Sequence, residues 1–247
     1  MALDSRLNRS RAVSVQALFA AIVVVLDTVP IIPGFYSGVW DSWLFLLSPL
    51  VGILLGPFSG AATVALGTAL GHLIYFRNPF ELLFMAGAPL GAAMAGFVYQ
   101  RRWRPVLGIY SMMLAAYFVY PVSWTLPLWG IWDVLVGFGV VVLFSLLVRG
   151  GLRTGRPLQK RWLMLGLASV VGLESDILLR ICILVPGQTY WLFYGLTPEM
   201  LSLLWLGAGL VTPIKVVLAV LVSITLGVPT LSILEEESNS IIVQRDE

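Results

Sequence analysis

Residues 44–76 read LFLLSPLVGILLGPFSGAATVALGTALGHLIYF, an apolar stretch interrupted at Leu55-Gly56-Pro57. A membrane-spanning helix takes about 20 apolar residues, usually roughly 17–25, so this stretch is too long for one crossing. Whether it crosses once or twice decides the sidedness of everything after it. The basic residues settle the matter, because Lys and Arg collect in cytoplasmic loops. Of fifteen Lys and Arg, twelve lie in four places: Arg6, Arg9 and Arg11; Arg101, Arg102 and Arg104; the segment Arg149 to Arg161, which includes Lys160; and Arg245. The second place shares a side with the first only if 44–76 crosses twice, as 44–56 and 59–76. The former is short and carries Pro49, so it is expected to be tilted or locally broken.

Working outward, the remaining apolar runs are 13–32, 81–99, 106–123, 128–148, 162–185 and 199–227. In lipid every backbone N–H and C=O must find a partner, so such runs form helices. The expectation is an all-α polytopic membrane bundle of about eight helices, with both termini cytoplasmic, in the cell membrane. The first run follows three arginines as a signal sequence would, but it ends in Val29-Pro30 without a small-x-small cleavage site. It reads as an uncleaved first helix. Residues 1–230 are expected to be one transmembrane domain. Residues 231–247, with Glu235, Glu236 and Glu237, are expected to be an acidic, disordered cytoplasmic tail.

Composition agrees. Of 247 residues 59% are hydrophobic and 11% charged, with a mean hydropathy of +0.93, which places the chain among membrane proteins. No polar stretch is long enough for a soluble catalytic domain. Cys182 and His72 are the only cysteine and histidine; one cysteine forms no internal disulfide, and one histidine argues against a His-rich metal site. There is no His-Glu-x-x-His, no Gly-x-Ser-x-Gly and no Walker A motif. The chain is therefore expected to be no enzyme, to carry no cofactor or metal, and to bind lipid rather than nucleic acid.

The two faces differ. The predicted outer loops carry Asp41, Glu81, Asp133 and Glu199 against Arg77, a net acidic set. Aromatic residues also favour that side: Phe35, Tyr36, Trp40 and Trp43; Trp124, Trp129 and Trp132; Tyr190, Trp191, Phe193 and Tyr194. Trp and Tyr line both membrane interfaces, and their rings also stack on planar ligands and cations. An interfacial belt and a partial ligand cage both fit. An acidic, aromatic outer side suits a cationic or planar heterocyclic ligand.

Charge inside a membrane is costly and usually faces the protein interior. Asp27 lies near the outer end of the first helix and His72 in the outer half of the third. Glu174, Asp176 and Arg180 share the seventh, and Lys215 sits in the last, beside Pro213. Asp176 and Arg180 are four apart and can pair. Glu174 points about 200° away from Asp176 around the helix axis and suits Lys215 as a partner. With Trp40, these residues are the candidate substrate contacts. The alternative is that each pair merely satisfies itself and staples helices; for His72, hydrogen-bonded packing competes with a ligand role.

Several short motifs occur in a telling order. Ala17 and Ala21 share a face of the first helix, a spacing that lets another helix approach closely, either within this chain or from a partner. Leu54-Leu-Gly56-Pro57 closes the second helix, and Gly60, Ala61, Ala65, Gly67, Ala69 and Gly71 stud the third. Gly87-Ala-Pro-Leu-Gly91-Ala-Ala-Met-Ala-Gly96 follows in the fourth. Tyr194-Gly-Leu-Thr-Pro198-Glu199, Thr212-Pro213-Ile-Lys215 and Leu226-Gly-Val-Pro229 close the series. Over about half of the chain this order resembles the substrate-binding S component of energy-coupling-factor (ECF) transporters, although that family usually has six membrane helices. The extra hairpin would be 106–148, making this a divergent member. The resemblance implies an outward-opening cup for a vitamin or similar small organic micronutrient. It also implies association with a membrane scaffold subunit and two cytoplasmic ATPases, with Ala17 and Ala21 meeting the scaffold. Secondary transport and a purely structural role are the alternatives.

Overall fold

The computed structural model describes residues 9–29, 31, 42–75, 79–149 and 157–243, with backbone alone at 9, 80, 157–160 and 234–243. Trp40 and Asp41 lie outside the described residues. Nine α-helices follow in chain order among the described residues: α1 (Arg9–Thr28), α2 (Ser48–Leu55), α3 (Pro57–Ile74), α4 (Gly87–Tyr99), α5 (Trp103–Val119), α6 (Trp132–Arg149), α7 (Pro157–Leu184), α8 (Thr189–Leu192) and α9 (Pro198–Val243). Short 3-10 segments lead into α2, α4 and α6, and no strand occurs among the described residues. Among the described residues five stretches, Ser10–Thr28, Pro57–Ile74, Glu81–Tyr99, Leu128–Arg149 and Pro198–Ile233, are long and apolar enough to cross a membrane.

Proline sets several boundaries. Gly56, at φ 90°, is the single non-helical residue between α2 and α3; that backbone conformation suits only glycine, and Pro57 then opens α3 at its first position. The expected span 81–99 becomes a 3-10 run, Pro79–Ala86, followed by α4. Starting at Gly87 places Pro89 in the first turn, where its missing N–H costs no helical bond. α5 stops at Val119 rather than 123 because Pro121 forces Tyr120 into extended backbone, at ψ 123°.

The expected second span, 44–56, is broken, as Pro49 suggests, into the 3-10 turn Trp43–Leu46 and α2. With 8 residues, all buried, α2 rises about 12 Å against a hydrocarbon core about 30 Å thick. It is enclosed by protein rather than facing lipid. At the other extreme, α9 has 46 residues and runs through Pro213 and Pro229. Residues 231–243, expected to be a disordered tail, have helical backbone here.

α7 is the central helix, packed against α4, α9, α6, α5 and α2. Its contact with α4 brings backbone to backbone: a Cβ on Gly91 would meet the Gly172 carbonyl oxygen at 2.8 Å, and one on Gly172 would meet the Gly91 oxygen at 2.8 Å. α1 lies on α3, where Gly67 faces Val23 and the Ala20 carbonyl. Outside these seams the surface is apolar, with Leu18, Leu66, Leu203, Leu210, Ile214 and Leu221 exposed. Polar side chains are buried instead, among them Asp27, His72, Glu81, Asp133, Glu174, Asp176, Arg180 and Lys215. That inversion suits a solvent of lipid.

Candidate functional site

The described candidate contacts fall into three groups. The first joins α1 to α3. The His72 Nδ1 is 2.9 Å from Asp27 Oδ2 and 2.9 Å from the Thr68 carbonyl oxygen. A carbonyl only accepts, so Nδ1 carries the proton. Ser42, just before the 3-10 turn Trp43–Leu46, donates to Asp27 Oδ1 at 3.2 Å. Gly71 makes room, since a Cβ there would meet Asp27 Oδ2 at 2.5 Å.

The second group lies between α7 and α4. Arg180 Nε donates to Asp176 Oδ1 at 2.5 Å, one helical turn apart. Both face Gly87, where a Cβ would meet Asp176 Oδ1 at 2.0 Å. A larger residue at 87 would occupy the place of the ion pair.

The third group holds Glu174 and Lys215 and adds three residues that were not among the candidate contacts. Glu174 interacts electrostatically with both Asp133 and Lys215. Asp133, in the first turn of α6, accepts from the Val134 amide at 2.9 Å and from the hydroxyl of Thr212 on α9. Tyr110 of α5 donates to the Val134 carbonyl at 2.8 Å. Gly137 lies against both Tyr110 and Glu174: a Cβ there would meet the Tyr110 hydroxyl at 2.6 Å and Glu174 Cγ at 2.9 Å. The Lys215 ammonium sits 5.2 Å from the centroid of the Phe45 ring, a cation–π distance. Three helices besides α7 thus supply one buried polar cluster, with the Phe45 ring against its lysine.

Compared with known proteins, the chain matches no family model, no curated protein and no solved structure.

The grouping follows the helical geometry. Asp176 faces α4, whereas Glu174, two residues earlier, faces α5, α6 and α9. Asp27 and His72 belong to neither set. Two outer-loop acids are corrected by their burial. Glu81 is 3% exposed and accepts from the Tyr194 hydroxyl at 2.8 Å, and Asp133 is 4% exposed. Of the four, Glu199 is exposed, and Asp41 lies outside the described residues. Asp133 had a signal in the sequence: it falls inside the predicted span 128–148, not in the loop before it. Tyr110 had none, being one of eight tyrosines on an apolar helix. Among the outer aromatic residues, Trp124, Trp129, Trp132 and Trp191 are exposed and Tyr190 is buried.

Proposed function

We propose that this chain is the substrate-capturing membrane subunit of an ECF-type importer for a vitamin or another small organic micronutrient. It works with a separate scaffold subunit and two cytoplasmic ATPases. The observation that carries this reading is the outer face of α1. Ala17 and Ala21 are exposed, whereas Ala20 and Val23 are buried against α3. The small pair is therefore not used for packing within the described residues, and it offers a second membrane helix close approach. The order of the Gly-Pro turn, the small-residue helices and the Pro-containing last helix adds support. In this reading eight segments cross or enter the cell membrane, and both termini are cytoplasmic.

With Glu81 and Asp133 buried, the case for a cationic ligand rests on fewer charges than the sequence suggests, and the outer aromatic residues favour a planar heterocycle. Trp40, Asp27, His72, Asp176, Arg180, Glu174 and Lys215 are the proposed contacts. The test is a panel of B vitamins scored by thermal shift on the purified protein. A ligand at 100 times its Kd stabilises by about 2.7 kcal/mol. Absence of any shift across the panel, together with failure to co-purify with a scaffold subunit, sinks the proposal.

One observation favours a second reading, in which the charges only staple helices. Asp27 with His72, and Asp176 with Arg180, each close on a neighbour rather than on one another. Under that reading no small molecule shifts the melting temperature, and charge-pair variants fail by unfolding alone.

A further inference from the structure

We propose that Glu174 is a proton-binding site, holding its proton as a neutral carboxylic acid inside the closed bundle. The inference stands on the arrangement of the α5–α6–α7–α9 cluster and does not depend on what the bundle carries. Among the described residues the cluster contains two carboxyls, Asp133 and Glu174, and one ammonium, Lys215. A single ammonium neutralises one carboxylate. Two ionised carboxylates and one lysine would leave a net buried charge, which a low-dielectric interior strongly disfavours.

The hydrogen bonds say which carboxyl is ionised. Asp133 is served by donors on both oxygens: the Val134 amide on Oδ1 and the Thr212 hydroxyl on Oδ2. That hydroxyl also has the Ala208 carbonyl within 2.9 Å, but a charged acceptor binds it more strongly than a neutral one. Glu174 has the opposite surroundings. It is 2% exposed, and its Oε2 has no hydrogen-bond partner. Across Gly137 the Tyr110 hydroxyl lies against the same site as Glu174 Cγ, but its proton is already committed to the Val134 carbonyl. Tyr110 therefore offers a Glu174 carboxylate no donor, and burying an ionised oxygen without one is costly.

The rest of the surroundings agree. Of the other helices packed on α7, α2 has no ionisable side chain and α4 carries only Tyr99 among such groups. Glu81, in the 3-10 run before α4, accepts from Tyr194. Asp176 and Arg180, on α7 itself, pair with each other. The proton on Glu174 is thus tied to the packing of α6, α7 and α9 that keeps Oε2 from water.

The test is infrared difference spectroscopy on the purified full chain in detergent at neutral pH, comparing wild type with Glu174→Gln and with Asp133→Asn. Differences are read because Asp27, Glu81 and Asp176 are also buried. Wild type minus Glu174→Gln is expected to contain the C=O band of a carboxylic acid, and wild type minus Asp133→Asn the paired bands of a carboxylate. Carboxylate bands in the first difference overturn the proposal, as does an acid band in the second. Glutamine is the neutral isostere of the acid, so Glu174→Gln is expected to melt near wild type and above Asp133→Asn. A Glu174→Gln protein that melts below Asp133→Asn, or that fails to fold, counts against the proposal as directly as the spectra.

Discussion

Trp132 donates its indole N–H to the Gly209 carbonyl, 2.7 Å away, and Gly209 lies four residues before Pro213 in α9. Proline has no amide hydrogen, so that carbonyl loses its helical partner. In a membrane interior such an orphan is expensive, and Trp132 replaces what Pro213 removes. Asp133, the next residue, binds Thr212. Consecutive side chains at the start of α6 therefore clamp the stretch of α9 where Pro213 interrupts the helical ladder.

Trp132→Phe is expected to destabilise the protein by about 1–3 kcal/mol, the usual penalty of an unsatisfied buried polar group. Pro213→Ala returns an N–H to the Gly209 carbonyl, so Trp132→Phe should cost measurably less in that background. Thermal unfolding of the two single variants and the double variant gives the coupling. Strict additivity would show that the indole bond does not replace the missing amide.

The seam between α4 and α7 makes a sharper prediction. A methyl group at Gly91 or Gly172 meets backbone carbonyl oxygen at 2.8 Å, which no side-chain rotamer can relieve. Gly91→Ala and Gly172→Ala should each lower stability by about 1–3 kcal/mol, the range for overpacking. Gly108 and Gly139 have nothing within 4 Å of a Cβ, and Ala there should be neutral or stabilising by up to about 1 kcal/mol through helix propensity. Equal losses at all four positions would mean that alanine acts through something other than these contacts.

The contrast between these glycines marks how far sequence reading reaches. The apolar runs and the Gly56-Pro57 turn follow from local chemistry, and most of the described residues in each predicted run have helical backbone. The Asp176–Arg180 pair was equally readable, because four-residue spacing on one helix is geometry the chain carries in itself. Burial of α2 was not, since a short apolar run looks the same facing lipid or protein. Nor was the joining of Asp133, Tyr110 and Thr212 to Glu174 and Lys215, which depends on how three helices rotate against α7. Asp27 and His72, 45 positions apart, could be proposed singly, while their pairing needed the packing of α1 on α3.

That pairing is testable by a double-mutant cycle. Removing one partner of a buried hydrogen bond leaves the other unsatisfied, which typically costs about 1–3 kcal/mol. Asp27→Ala and His72→Ala should each be destabilising, and the double variant should lose clearly less than their sum. Ser42→Ala removes one 3.2 Å bond to Asp27 and should cost about 1 kcal/mol. A double variant as unstable as the sum would separate the two residues energetically.

The face of α1 divides stability from assembly. Ala17 and Ala21 are exposed, so Ala17→Leu and Ala21→Leu should change the stability of the isolated chain by no more than about 0.5 kcal/mol, as at other surface sites. Ala20 is buried, and its carbonyl faces Gly67 across the α1–α3 seam. Ala20→Leu should cost about 1–3 kcal/mol through overpacking. If a scaffold helix docks on Ala17 and Ala21, the two leucine variants should fold as wild type yet lose co-purification with the scaffold subunit and with it nutrient uptake in cells. Ligand binding to the isolated chain should persist, because the substitutions lie outside the proposed contacts. A variant that folds, binds the scaffold and transports at the wild-type rate would free this face of any role in assembly, and the importer reading would then lose the observation that carries it.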